Sequence, residues 1–233
     1  MPLTNSDLHH WGPVPEIVDW LAAKYKGQKV LEVGPGAARF PAATHFVDWQ
    51  DVPGVPPEQV TKIDVNLDRL PLPNGPLSSW DFIYARHVLE DMCNPFLLIE
   101  RMKRVAKAGY IETPSPLCEL TRGVDGGSPM YRGYNHHRWI IWQDSDGKLH
   151  FIAKFPLVEY QTFADEAVTD QQLRNSSRYW NTHYFWQDNI DLVHHQCPHD
   201  FRMPEDYGSM LVRAKAQSKD SIDTFYRTVL NVS

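Results

Sequence analysis

The stretch VLEVGPG, residues 30–36, constrains this chain more than any other. A short apolar run carrying one acid, Glu32, stops abruptly in a glycine-rich turn. That is how a buried strand ends when the chain must reverse without a side chain in the way. Gly34 and Gly36 open backbone conformations closed to other residues and let the backbone approach a ligand closely. In a doubly wound sheet, ligands sit beyond the carboxyl ends of the strands, where the strand order reverses. A β-branched side chain at Gly34 is expected to fill the space such a ligand needs while leaving the fold intact.

The pattern recurs downstream. Residues 44–47 read as a second strand ending on Asp48, 60–63 as a third ending on Asp64, 81–85 as a buried fourth starting at Asp81, and 110–113 as a fifth closed by Pro114. Between them lie Pro/Gly-rich loops at 51–58 and 70–76. Residues 16–25 have helical apolar spacing, with Pro13 and Pro15 before them and Gly27 after. Residues 95–107 read as an amphipathic helix. Phe96, Leu97, Ile99, Met102, Val105 and Ala106 face inward, and Glu100, Arg101, Lys103 and Arg104 face water. Strands alternating with helices or long connections imply a mainly parallel sheet with covered faces. Pro41 does not suit a full-length helix between Gly36 and Asp48.

After Pro116 the character changes. Residues 117–134 read as a loop or lid. Residues 138–142 and 148–152 read as a hairpin about the 144–147 turn, and a second hairpin is expected from 183–186 and 190–194 about 187–189. The aromatics crowding this half, Trp139, Trp142, Trp180 and Trp186 among them, read as packing of β structure. The expectation is therefore one domain, 1–233, with a core over about 14–116, a loop and hairpin elaboration over about 117–217, and a polar, weakly helical tail over 218–233.

Charge narrows the function. The net charge is −6 and no Lys/Arg run is present, which disfavours a nucleic-acid partner. The three cysteines, Cys93, Cys118 and Cys197, are scattered and odd in number, as in a reducing compartment. Residues 1–10 lack a signal pattern, and no apolar run approaches the ~20 residues of a membrane span. A cytoplasmic location follows as the expectation. Oligomeric state is not legible.

An acid ending the second strand, such as Asp48, can accept both hydroxyls of a ribose. One ending the third, such as Asp64, can accept from an adenine amino group. A dehydrogenase would want a third glycine where Arg39 stands. With these blocks in place, the sequence resembles the class I S-adenosylmethionine (SAM)-dependent methyltransferases, particularly the small "type 11" group. The likeness lies in VLEVGPG, in FVD ending at Asp48, in IDVN with LPLPNG, in WDFIYARHVLEDM and in RMKRVAKAGYIETPSP, over roughly residues 14–116. It departs at Ala38, where the family's usual third glycine would stand.

The resemblance implies a Rossmann-like α/β fold, a doubly wound mainly parallel sheet with β-hairpin additions in the C-terminal half. It implies that Glu32, Gly34 and Gly36 form the turn around the methionine part of SAM and that Asp48 holds the ribose. Asp64 and Val65 would flank the adenine, and Tyr84, Ala85 and Arg86 would line the floor near the sulfonium. The implied activity is methyl transfer to an O or N atom of a small molecule. The alternative is a catalytically silent protein that keeps the SAM-binding fold. His87, His136 and His137 are the candidate bases, with Asp91 behind them, and Arg138 is a candidate anion binder. The spacing of His194, His195, Cys197 and His199 matches no closed zinc site, so no metal is expected.

Overall fold

A computed structural model of the protein describes residues 13–36, 38–63, 80–197, 202 and 205–230. In chain order the elements are α1 (Pro15–Lys24), β1 (Val30–Val33), β2 (His45–Asp48), β3 (Val60–Lys62), β4 (Phe82–Arg86), α2 (Pro95–Val105) and β5 (Ala108–Pro114). There follow α3 (Pro116–Glu119), β6 (Trp139–Gln143), β7 (Leu149–Ala153), α4 (Glu166–Asn175), β8 (Asn181–Gln187), β9 (Leu192–His195) and α5 (Glu205–Thr228). The described residues fall into two compact units, one of 13–112 with 184–190 and the other of 113–183 with 191 onward.

The first unit carries a sheet of order β3-β2-β1-β4-β5-β8. The pairs β1–β2, β2–β3, β1–β4 and β4–β5 are all parallel. The chain steps outward from β1 to β3 and returns to the other side of β1 at β4. The order therefore reverses between β1 and β4, as in a doubly wound sheet. Every residue of β1 is buried, as expected of a strand covered on both faces. Proline opens both helices of this unit, where its missing N–H costs nothing. Helix α1 buries Ile17 and Leu21, and α2 buries Leu98, Ile99 and Met102. Leu97, expected inward, is 46% exposed. It stands one residue off the i, i+3 stripe of Ile99 and Met102. The described residues 38–44 between β1 and β2 hold no helix, and Phe40 is buried there.

The second unit holds a three-stranded sheet, β6-β7-β9. Strands β6 and β7 form the expected antiparallel hairpin. Its turn is fixed by Asp144, whose Oδ1 accepts from the backbone N–H of Asp146 (3.0 Å) and Lys148 (2.9 Å). The second expected hairpin does not form. Strand β8 joins the six-stranded sheet, and β9 pairs in parallel with β7. The reason lies in burial: β8 is buried at five of its seven positions, which suits a covered strand and not a hairpin arm with a wet face. Asp188, at φ +62°, turns the chain away directly after it.

Helix α4, the short α3 and the N-terminal half of α5 went unread in the sequence. The expected tail from Ser218 is the C-terminal half of the 24-residue α5. Tyr207, Leu211 and Ala214 of α5 pack in one core with Ile140, Trp142 and Ile152 of the small sheet. The Tyr207 hydroxyl donates to the Ala153 carbonyl (2.9 Å) and accepts from the Phe155 N–H (3.1 Å), pinning the helix to the end of β7.

Candidate functional site

The carboxyl ends of β1, β2 and β4 converge at the reversal of strand order. After β1 the chain enters the turn with Gly34 at φ +67° and Gly36 at φ +53°, both in the left-handed region. The Gly34 N–H donates to the Val47 carbonyl (2.8 Å), which closes the turn onto β2. A Cβ at Gly34 would stand 2.5 Å from Cγ2 of Val88, whereas a Cβ at Gly36 would meet nothing within 4 Å. This corrects the expectation for Gly34: the protein's own packing excludes a side chain there before any ligand does. Gly36 is the glycine that faces open space.

Glu32 sits within β1, 2% exposed. Both its carboxylate oxygens face the Phe40 N–H, at 3.0 and 2.9 Å. Burial raises the Glu32 carboxyl to about 7, against the pull of that N–H and of Arg86 and Arg39. The loop after the glycine turn is thus folded back on β1, and the Phe40 ring stacks flat on Tyr84 (4.4 Å, 5°). Tyr84 is itself buried, which pushes its hydroxyl far above the ordinary phenol range.

Asp48 ends β2, 6% exposed. Its Oδ1 accepts from the Gln50 N–H (3.1 Å), and among the described residues no donor reaches Oδ2. Asp51, three residues on, stands outside the strand in an exposed pair with Lys62 (2.8 Å). Asp81 lies at the opposite, amino end of the strands, where its carboxylate accepts from the Lys29 N–H (2.8 Å) and ties β4 to the start of β1. The expected adenine-flanking residues Asp64 and Val65 lie outside the described residues.

At the end of β4, Ala85 is buried. Arg86 meets Glu112 of β5, Nε to Oε1 at 2.9 Å, the two being register partners. Glu112 is 1% exposed and also accepts from the Tyr110 hydroxyl (2.5 Å). His87 follows at φ +52°, an uncommon conformation for a residue with a side chain. Its N–H donates to the Glu112 carbonyl (2.9 Å), Nδ1 faces Glu90 (3.0 Å) and Nε2 faces Glu112 (3.5 Å). Burial alone would lower its pKa; the two carboxylates outweigh that and lift it to about 9. Glu112 and Glu90 stand at the candidate site and were not singled out in the sequence. Both lie in the blocks that carry the resemblance; Glu90 is three residues from His87, but nothing in the sequence shows that Glu112 meets it.

His136, His137 and Arg138 belong to the second unit. His137 is buried, with Nδ1 2.6 Å from Glu119. The other Glu119 oxygen takes the Lys154 ammonium at 2.6 Å. Burial pushes the Glu119 carboxyl up, but Lys154 and His137 outweigh it and hold it below its ordinary value. His136 is exposed, edge-on to His137 at 4.5 Å, and Arg138 is exposed. Of the histidine and cysteine cluster, His195 reaches His150 (Nε2 to Nδ1, 2.8 Å), which reaches Asp144 (2.8 Å). His199 lies outside the described residues.

No protein-family model and no curated protein matches the chain. Among solved structures, a SAM-dependent methyltransferase from Mesorhizobium loti is 13% identical, over 85% of this chain and 78% of that one, with a TM-score of 0.35. A SAM-dependent methyltransferase from Aquifex aeolicus is 20% identical, over 48% and 69%, with a TM-score of 0.34. A methyltransferase candidate from Bacillus halodurans is 17% identical at a TM-score of 0.32, and the match spans 42% of this chain and only half (50%) of that one. At these TM-scores the matches stand as likenesses alone, and the fold rests on the strand order.

Proposed function

We propose that the chain binds SAM over the carboxyl ends of β1, β2 and β4 and catalyses methyl transfer to an O or N atom of a small-molecule acceptor. One observation carries the reading. A left-handed Gly34–Gly36 turn lies at the reversal of strand order, beside a buried carboxylate, Asp48, with an oxygen that no described donor uses. The fit is specific in two places. Gly36 leaves open space for close backbone approach, and Asp48 Oδ2 offers an acceptor for ribose hydroxyls.

SAM supplies an electrophilic methyl group on a sulfonium, so the displacement needs alignment and exclusion of water more than acid–base help. The residues of this chain would supply that alignment. Gly34 and Gly36 shape the turn, Asp48 holds the ribose, Asp64 and Val65 flank the base, and Tyr84, Ala85 and Arg86 form the floor. A base is needed only for an acceptor that must lose a proton. His87, held between two carboxylates with a pKa near 9, keeps its proton at neutral pH and is better suited to fixing the turn than to accepting a proton. His137 is engaged by Glu119.

Titration calorimetry with SAM and with S-adenosylhomocysteine tests the binding half of this reading, and absence of binding to the folded protein refutes it. Formation of S-adenosylhomocysteine with hydroxyl and amine acceptors tests turnover. The described residues 38–44 hold no helix, which favours one rival, a protein that binds SAM without turnover, because among the described residues no helix N-terminus backs the ligand there. Binding without product for any acceptor would select that rival.

A further inference from the structure

The glycine turn does not stand alone, because Val88 packs against it. Cγ2 of Val88 lies 2.5 Å from the point where a Gly34 Cβ would be, so the turn after β4 and the turn after β1 are seated face to face. The position of Val88 is set by the residue before it. His87 holds φ +52°, a conformation that is unfavourable for a residue with a side chain and persists only when its surroundings enforce it. Here the enforcement is visible. The Glu112 carbonyl takes the His87 N–H, the Glu112 carboxylate faces Nε2, and Glu90 faces Nδ1. Glu112 is in turn fixed by Arg86 and by the Tyr110 hydroxyl, and Glu90 is 1% exposed.

We propose that Glu112 is a positioning residue for the nucleoside cofactor: by holding His87 in a left-handed conformation it seats Val88 against Gly34 and so fixes the turn that receives the ligand. The inference rests on the SAM-binding reading above. It adds a residue within β5 that need not touch the ligand. Among the described residues, Glu112 from β5 and Glu90 from its own turn face His87, and Arg86 from β4 and Tyr110 from β5 contact Glu112. His87 is therefore held as an imidazolium by geometry that a neutral amide at 112 would weaken.

The experiment uses the full chain and three variants: Glu112→Gln, Glu112→Asp and the double variant Glu112→Gln/His87→Gly. SAM affinity is measured by calorimetry, and the His87 imidazole is titrated by NMR without ligand. Glu112→Gln should weaken SAM about tenfold, the scale of losing one enforced conformation. The His87 titration should fall from near 9 toward the ordinary range. Glu112→Asp should recover part of the affinity. The double variant should bind better than Glu112→Gln alone, because glycine adopts the left-handed backbone with no carboxylate to enforce it. A role confined to burying charge would give no such rescue. Glu112→Gln binding SAM like the unmodified protein while its His87 titration moves overturns the positioning role alone. Folded variants in which glycine brings no recovery overturn it as well. An unmodified protein that binds no SAM overturns the cofactor reading, and this inference with it.

Discussion

Asp48 and Asp51 stand three residues apart and differ in the one respect that matters here. Asp48 is buried at the end of β2, while Asp51 spends its carboxylate on an exposed pair with Lys62. Hydrogen bonds to a charged acceptor are worth roughly 1.5–3 kcal/mol each. Asp48→Ala should therefore weaken SAM and S-adenosylhomocysteine alike, by about tenfold or more, since the ribose is remote from the methyl group. Asp51→Ala should bind like the unmodified protein. Calorimetry on both variants with both ligands checks this, and a loss confined to Asp51→Ala would place the site elsewhere. The acid at 48 was legible because a strand end can be read from an apolar run that stops. The partners of His87 were not, because Glu112 meets it only after β4 and β5 are placed side by side, and Glu90, three residues on, only through the turn that His87 begins.

At the scale of elements, the glycine turn makes a graded prediction. Gly34→Ala and Gly36→Ala both force a side chain into the left-handed region, at a cost of roughly 1–2 kcal/mol. Only Gly34 adds a clash, with Val88. Gly34→Ala should thus lower the melting temperature clearly more than Gly36→Ala, as thermal unfolding would show; equal losses would mean that the β4 turn yields freely. A second element test lies at the end of α3. There Glu119 joins Lys154, just past β7, to His137 before β6. Lys154 also donates to the carbonyls of Arg132 (2.8 Å) and Tyr134 (2.7 Å). Removing one partner of a buried ionic group leaves the others uncompensated, at about 3–5 kcal/mol. Glu119→Ala should lose about that much in denaturant unfolding, and a loss under 1 kcal/mol would show the cluster to be hydrated. The hairpin of β6 and β7 was readable from its turn. Helix α5 was readable only as a weakly helical tail from Ser218, because its buried stripe, Tyr207 and Leu211 at one end and Ile222 and Phe225 at the other, is broken midway by Lys215 and Ser218.

For the whole molecule, the perturbed ionisations predict how stability follows pH. Glu32 is raised from 4.5 to about 7, so the folded state holds a proton that the unfolded chain releases. Stability from this group falls as pH rises between those values. His87 is raised from 6.5 to about 9, so its contribution is complete below 6.5 and is lost as pH climbs through 9. Glu119 is lowered, so its contribution is present above 4.5 and is lost on acidification through its depressed value. Asp144 acts in the same direction, pushed up by burial but held below its ordinary value by the Lys148 and Asp146 N–H groups and His150. Together these place the maximum on the mildly acid side of neutrality, with a gradual alkaline decline. Melting temperatures across pH 4–10 should show it, and Glu32→Gln with His87→Gln should flatten the alkaline limb. A maximum above pH 8 would contradict both assignments.

The sequence by itself determined the first half of the fold: the run of strands, the glycine turn after β1, the acid after β2 and the parallel arrangement. These are local signals, carried by apolar periodicity and by residues whose backbone freedom is unusual. The tertiary structure alone decided where β8 and β9 go, because a strand chooses its sheet by which face it must bury and not by which strand follows it. It also decided what His87 and His137 do. An imidazole's charge depends on the carboxylates brought against it, and those come from Glu112 and Glu119, each 18 or more positions away in the chain.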